Sequence, residues 1–430
     1  MASLGLSAKC ISHLRSLRTS RAAAARIFST AAAPHGESAP RRTPLQHRHS
    51  DNHLRRHATS DAHFISDPRY NATPSGFAAL PHRRLIAVSG PDAAKFLQGL
   101  LTNNVNPKHS LYAFYSAFLD ARGRVLWDVW VWSWSGIHVL EPNRDASHWM
   151  CCIEVDEAEA EALIKHLKRH KLRSKVQIED VSDRCRVWAA WGTPVLHIHE
   201  EVLTRRTDPR GPSSVDMWPS VMSRYVARAD QQTIMSGEER SNICLHGPSV
   251  PTNVDDYHMQ RYRYGIPEGP KEIVSGSALP MECNLDLWSG IDFKKGCYLG
   301  QELTIRTKHT GVVRKRILPV EIYGAGSYNN IPENGTDIKE LDTDGNLKKG
   351  RATGKFIAGM GNKGIALCRL ESMTSMKVSA EGGTWKPGME FGCQTASGVV
   401  RVKPVLHGWF VENEREMWGK NRASIQEPST

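Results

Sequence analysis

The sequence predicts an α+β protein in two parts: a mixed helix-and-strand region up to about residue 310, then a small C-terminal β-barrel. Three observations carry this. Hairpin strands and amphipathic helices are intermixed in the first part. From Gly311 onward, short β-branched runs alternate with glycine-rich turns. The 430 residues, 40% hydrophobic and 23% charged, suffice for a substantial core of ordinary globular composition.

Ser89-Gly90-Pro91-Asp92 opens the first helix. Ser89 can cap it, Pro91 suits the first turn, and Asp92 favours the positive end of the dipole. Phe96, Leu97, Leu100 and Leu101 form its buried face. Leu111–Leu119 and Arg124–Trp134 read as strands joined by the turn Asp120-Ala121-Arg122-Gly123, with Ile137–Leu140 a third short strand. A second helix runs from Asp156 to Lys171, acids at its start and bases at its end, as the macrodipole prefers. Residues 205–220 are polar and proline-rich, and 228–256 read as a loop insertion. A helix follows over Tyr257–Tyr264. Ile317–Ile322, Gly354–Phe356, Gly364–Leu370 and Val399–Val405 supply the barrel, placed over 311–415, with 416–430 a frayed tail.

The net charge of +11 suggests nucleic acid, but its distribution removes the suggestion. Residues 1–60 carry +8 and the remainder only +3. Residues 1–36 hold Lys9, Arg15, Arg18, Arg21 and Arg26 and no acid, among many Ser and Ala: the composition of a mitochondrial presequence. Arg26-Ile27-Phe28-Ser29 looks like a processing site, with cleavage after Phe28 and delivery to the matrix. Residues 37–65 read as a linker. No apolar run approaches the roughly 18 residues that span a bilayer.

Nine cysteines include no CxxC pair and no zinc-like Cys/His spacing. The densest segment is Ile291–Leu303, where Gly296 and Gly300 bracket Cys297 and Tyr298, and Lys294 and Lys295 precede them. Neighbouring positive charge favours a thiolate, the form that attacks electrophiles and binds metals. By residue chemistry alone, the preferred reading of Cys297 is a buried structural cysteine in a glycine turn.

Lys295-Gly296-Cys297-Tyr298-Leu299-Gly300-Gln301-Glu302 resembles the KGCYxGQE signature of the YgfZ-type folate-binding proteins, relatives of the glycine-cleavage T-protein aminomethyltransferase. Gly265–Gly269, Leu279–Leu285 and Arg306–Arg316 extend the resemblance, which covers roughly residues 75–205 and 257–405. It implies ferredoxin-like α+β domains over residues 66–310, around a central channel able to hold tetrahydrofolate, beside the C-terminal barrel. With the presequence, it implies the mitochondrial branch, which acts late in iron–sulfur cluster assembly. There the partners are A-type scaffold proteins and apo forms of [4Fe–4S] clients such as aconitase and the lipoate and biotin synthases. Cys297 would then give one ligand to a cluster shared with the scaffold, because a cluster usually takes four thiolates. Cys283 is expected to be ordinary, and His309 a surface histidine.

Two departures from the T-protein pattern bear on folate. Trp127-Asp128 stands where the relatives have an acidic pair, and Arg263 stands where a glutamate holds the pterin. A guanidinium accepts no hydrogen bond, so pterin cannot bind in the same way. Asp128 shares a strand face with Leu126, Trp130 and Trp132 by alternation. An acid among aromatics suits a flat heterocycle, and it equally suits a core with one satisfied carboxylate. The alternative function that the resemblance implies is folate-dependent one-carbon transfer.

Overall fold

The computed structural model describes residues 76–105, 113–133, 149–191, 222–228, 252–324 and 330–426. The expected presequence, the linker, the Ile137–Leu140 strand and the 205–220 segment lie outside the described residues.

Three antiparallel sheets organise the described residues. The first is five-stranded, in the order β3 (Ala113–Leu119), β4 (Val125–Ser133), β5 (Met150–Asp156), β2 (Arg83–Ser89) and β6 (Gln177–Asp180). The second joins β1 (Gly76–Ala79), β7 (Cys185–Trp191) and β8 (Met222–Arg228). The third is a closed barrel of β9 (Lys315–Tyr323), β10 (Asp337–Glu340), β11 (Gly354–Met360), β12 (Lys363–Arg369), β13 (Phe391–Thr395) and β14 (Gly398–Pro404). Closure leaves the barrel with no open sheet edge. Of its six strands, β10 and β13 were not read in the sequence, being short and weakly alternating.

Strand alternation gives the first sheet two faces of different chemistry. Ile86, Val88, Val129, Val131, Cys151, Ile153 and Val155 face α1 (Ala93–Gln98) and α2 (Ala160–Lys171) in one apolar core. The opposite face carries Leu85, Ala87, Trp132 and Cys152 against Val187, Ala189 and Trp191 of the second sheet and Tyr257 of α3 (Val254–Tyr264). The register pairs Trp130 with Glu154 and Leu85 with Glu154, so the buried Arg83, Asp128 and Glu154 share this second face. Leu126 does not. A bulge pairs Phe118 with Trp127 and Leu119 with Val125, which skips Leu126 and turns it toward the helix-covered core.

Other boundaries differ for local reasons. Ser89 does not cap α1; it ends β2, opposite Met150 and Gln177. Asp92 occupies the cap position, but its carboxylate accepts from the Lys175 backbone N–H at 2.7 Å instead of from its own helix. Asp156 ends β5, and its side chain caps the single 3₁₀ turn, Glu157–Glu159, that precedes α2. α3 starts at Val254, capped by Asn253, so it reaches into the segment assigned to the loop insertion.

The tail expected from residue 416 is helical. After the short α4 (Gln301–Thr310) and α5 (Leu370–Met373), α6 spans Gly408–Gln426. Trp418 is buried, and its indole N–H donates to Asp286 at 2.9 Å. Arg316 of β9 grips the same carboxylate with two bonds of 2.8 Å. Lys308 of α4 donates to the Met417 carbonyl at 2.6 Å. Barrel, terminal helix and α4 are thus tied at one buried charge pair.

Candidate functional site

Two regions hold the residues singled out in the sequence, and they differ in kind. The first is the loop that carries Cys297. Lys295 is half-buried, and its ammonium donates to the carbonyls of Gln98, Leu101 and Asn103 at 2.9, 2.5 and 2.9 Å. Carbonyls at and beyond a helix C-terminus lack intrahelical partners, and the lysine supplies them. Burial lowers its pKa to about 8. The amine also lies over the Tyr298 ring, 4.9 Å from its centroid. Lys295 therefore anchors the loop, its hydrogen bonds all going to carbonyls. Lys294 is exposed.

The far end of the loop is held by glycine. Gly300 has φ +78° and precedes α4, and a β-carbon there would press on Asp120 O and Leu119. Gly123, in the hairpin turn, has φ +79°, and its β-carbon would meet Leu303 at 2.8 Å and Gly300 O at 2.9 Å. The hairpin and the motif thus meet backbone to backbone, a contact open only to glycine. Gly296 is different. Its φ is ordinary, and a β-carbon there meets nothing within 4 Å. The fold does not require that glycine.

Between these anchors, Tyr298 turns inward and Cys297 outward. The Gln301 side chain accepts from the Tyr298 N–H at 3.3 Å and closes the first turn of α4, while Glu302 and His309 lie on its exposed side. Among the seven cysteines described, Cys297 alone is exposed. Burial raises the pKa of the Cys283 and Cys368 thiols, and pushes Cys152 and Cys393 up to about 12. Among the described residues, no group of three or more His, Cys, Asp or Glu could hold a metal ion.

The second region lies behind Asp128. That carboxyl is 5% exposed and accepts from the Gly269 N–H at 3.0 Å. Burial raises its pKa, opposed by Arg83 and Arg224. Tyr115 and the half-buried Trp130 pack beside it, their planes tilted by 44° and their centroids 5.5 Å apart. Trp127 points to the other side of the sheet, donating to Glu159 at 2.7 Å. Arg263 is not part of this cluster: its side chain is exposed on α3, and its carbonyl accepts from His407 at 2.8 Å.

The arginines that do face the cluster were missed in the sequence. Arg83 donates to Glu154 at 2.9 Å; Arg224 donates to Glu154, Glu268 and the Tyr257 hydroxyl. Tyr257 donates to Glu268 at 2.6 Å, and Arg261 grips Glu272 at 2.7 and 2.9 Å. His82 and His258 sit at its edge, and burial lowers their pKa to about 4 and about 3, so both are neutral at pH 7. Three guanidinium groups therefore meet four carboxyls in one interior. The two Nη atoms of Arg83 are buried with no hydrogen-bond partner. The available signal was Glu154, a lone acid in the apolar run Met150–Val155: a buried charge needs a partner.

Comparison with known proteins places the fold first. The crystal structure of glycine cleavage system aminomethyltransferase T from Bartonella henselae superposes with a TM-score of 0.51, over 80% of this chain and 88% of that one, at 15% identity. The fold is that of the aminomethyltransferases, with mixed α+β domains and a barrel. Residues 314–410 match the family model described as CAF17, C-terminal beta-barrel domain. Two relatives are far nearer in sequence, each named an iron–sulfur cluster assembly factor IBA57 homolog, mitochondrial. The one from Phaeosphaeria nodorum is 47% identical over 380 residues, covering 84% of this chain and 86% of its own length. The one from Aspergillus fumigatus is 37% identical over 392 residues, 80% and 85% of the two chains. The chain belongs to the IBA57 family.

Proposed function

We propose that this chain is a mitochondrial iron–sulfur cluster assembly factor, acting in the matrix late in the maturation of [4Fe–4S] proteins. The reading for Cys297 is that its thiolate gives one ligand to a cluster in transit, the remaining ligands coming from the cysteines of an A-type scaffold protein. One observation carries it: the motif's thiol stands in solvent on a loop fixed at one end by Lys295 and at the other by Gly300. A thiol so held costs little to reorganise on docking, and its loop presents no second ligand, so the cluster must be completed from outside. The cluster is cargo passed to apo clients. Among the described residues no helix is long and apolar enough to cross a membrane.

The test is complementation of a null strain at matched protein level. Cys297→Ser should leave abundance unchanged, abolish aconitase and lipoate-dependent activities, and spare [2Fe–2S] proteins; Cys283→Ser should be near neutral. Full complementation by Cys297→Ser overturns the shared-ligand reading. Mixing the protein with an A-type scaffold anaerobically should give cluster absorption that the protein alone does not.

A second reading is favoured by the two Nη atoms of Arg83, buried without a hydrogen-bond partner near Asp128. These residues fit the pterin of tetrahydrofolate, although the glutamate position is lost to an exposed Arg263. Trp130 would stack on the ring, Asp128 would pair with its N–H edge, and Arg83 would donate to its carbonyl. Bound folate would supply a one-carbon carrier, and the chain's part is to hold and orient it. Calorimetry should find weak binding abolished by Asp128→Asn; tight binding indifferent to that change sinks the site. Folate turnover by the lone protein would favour the one-carbon transferase alternative.

A further inference from the structure

At the C-terminal end of α2 the chain makes a knuckle that neither the motif nor the buried cluster uses. α2 ends at Lys171, and the next residue, Leu172, has φ 45° and is 87% exposed. Among the described residues it is the most exposed large hydrophobic side chain. Glycine is the usual residue where a helix ends with positive φ. Around it stand Lys165, Lys168, Arg169, Lys171, Arg173 and Lys175, six cations in eleven positions. None forms a side-chain ion pair or hydrogen bond with a described residue. The acids nearby are fewer than the cations: Asp92 accepts from the Lys175 backbone N–H at 2.7 Å, Glu179 pairs with Arg184 at 2.7 Å, and Glu161 stands a turn before Lys165 without bonding it, so positive charge stays in excess. Lys95 adds a seventh cation, since it lines, with Leu172 and Arg173, an open depression that the buried Phe96 also lines.

We propose that this knuckle docks the protein on an anionic phospholipid membrane. A bilayer interface is the one surface that rewards both halves of the patch. Its headgroups attract lysine and arginine, and its acyl boundary takes an exposed apolar side chain presented among them. A nucleic acid offers the phosphates but no apolar partner for Leu172 on its backbone. Residues 61–430 carry only +3, so the patch is a local concentration of charge and not a general property of the chain.

The test uses protein purified from mitochondria and floated with phosphatidylcholine vesicles, with and without phosphatidylglycerol. The protein should float only with the anionic vesicles, and less as salt rises. Leu172→Asp and the pair Lys168→Glu/Arg173→Glu should each weaken partitioning at least about tenfold. All three positions are exposed, so unfolding midpoints should match the parent and [4Fe–4S] client activities assayed in solution should persist. That separates this proposal from the reading of Cys297, whose substitution should leave flotation intact. Equal flotation with neutral vesicles, flotation of the variants like the parent, or tighter binding of duplex DNA or RNA through the same residues at the same salt would each overturn it.

Discussion

The Cys297 loop and the cluster around Glu154 are built on opposite principles. The cluster buries seven charged or chargeable groups and satisfies nearly all of them within the protein. The loop puts its one reactive group outside and uses buried groups only to hold the backbone. Residues of the first kind answer to stability, and Cys297 answers to something the chain does not contain. The comparison separates fold from function more sharply than residue type does: Gly296 and Gly300 are alike in the sequence, yet the fold needs only Gly300.

The most disruptive change should be Glu154→Ala. It strands Arg83 in the core, takes one of the two carboxylates from Arg224 and removes the acceptor for Trp132, 3.1 Å away. Loss of a buried partner costs about 3–5 kcal/mol, so the denaturation midpoint should fall far or the protein should not accumulate. A loss under about 1 kcal/mol would mean that the cluster is solvated.

Acid should attack the cluster before the loop. Burial depresses His82 to about 4 and His258 to about 3, below their unfolded value near 6.5. Between those limits the unfolded state binds more protons, so stability is full above pH 6.5 and falls as pH drops toward 4. The loss should be on the order of 3 kcal/mol, allowing for the partial exposure of the rings. Asp128 acts with the opposite sign, because its raised pKa lets the folded state take that proton first. Urea midpoints between pH 7 and pH 4 measure the slope, and Asp128→Asn should steepen it.

The smallest stability effects distinguish the two glycines. Gly300→Ala must accept both φ +78° and a clash with the hairpin, at about 3 kcal/mol. Gly296→Ala should change stability by less than about 0.5 kcal/mol. If Gly296→Ala nevertheless fails to complement, the space over that residue belongs to the docked partner; if Gly300→Ala is harmless, the hairpin contact is not what holds the loop.

Much of this protein was legible in local sequence. The hairpin from Asp120 to Gly123, the polarity of α2, the barrel strands and the eight-residue motif depend on spacing, alternation and turn chemistry, which act over a few residues. The presequence reading rests on composition and lies outside the described residues. What the sequence could not assign was partnership across long separations. Glu154 meets Arg224 70 residues later, and Lys295 reaches Leu101 194 residues back. One extra residue in a bulge reversed Leu126, and the pairing of Trp418 with Asp286 turned an expected tail into a packed helix. Local periodicity fixes which face a side chain takes, but charge compensation and close approach are settled only when distant segments share one interior, where an unpaired charge or an added methyl group costs kilocalories.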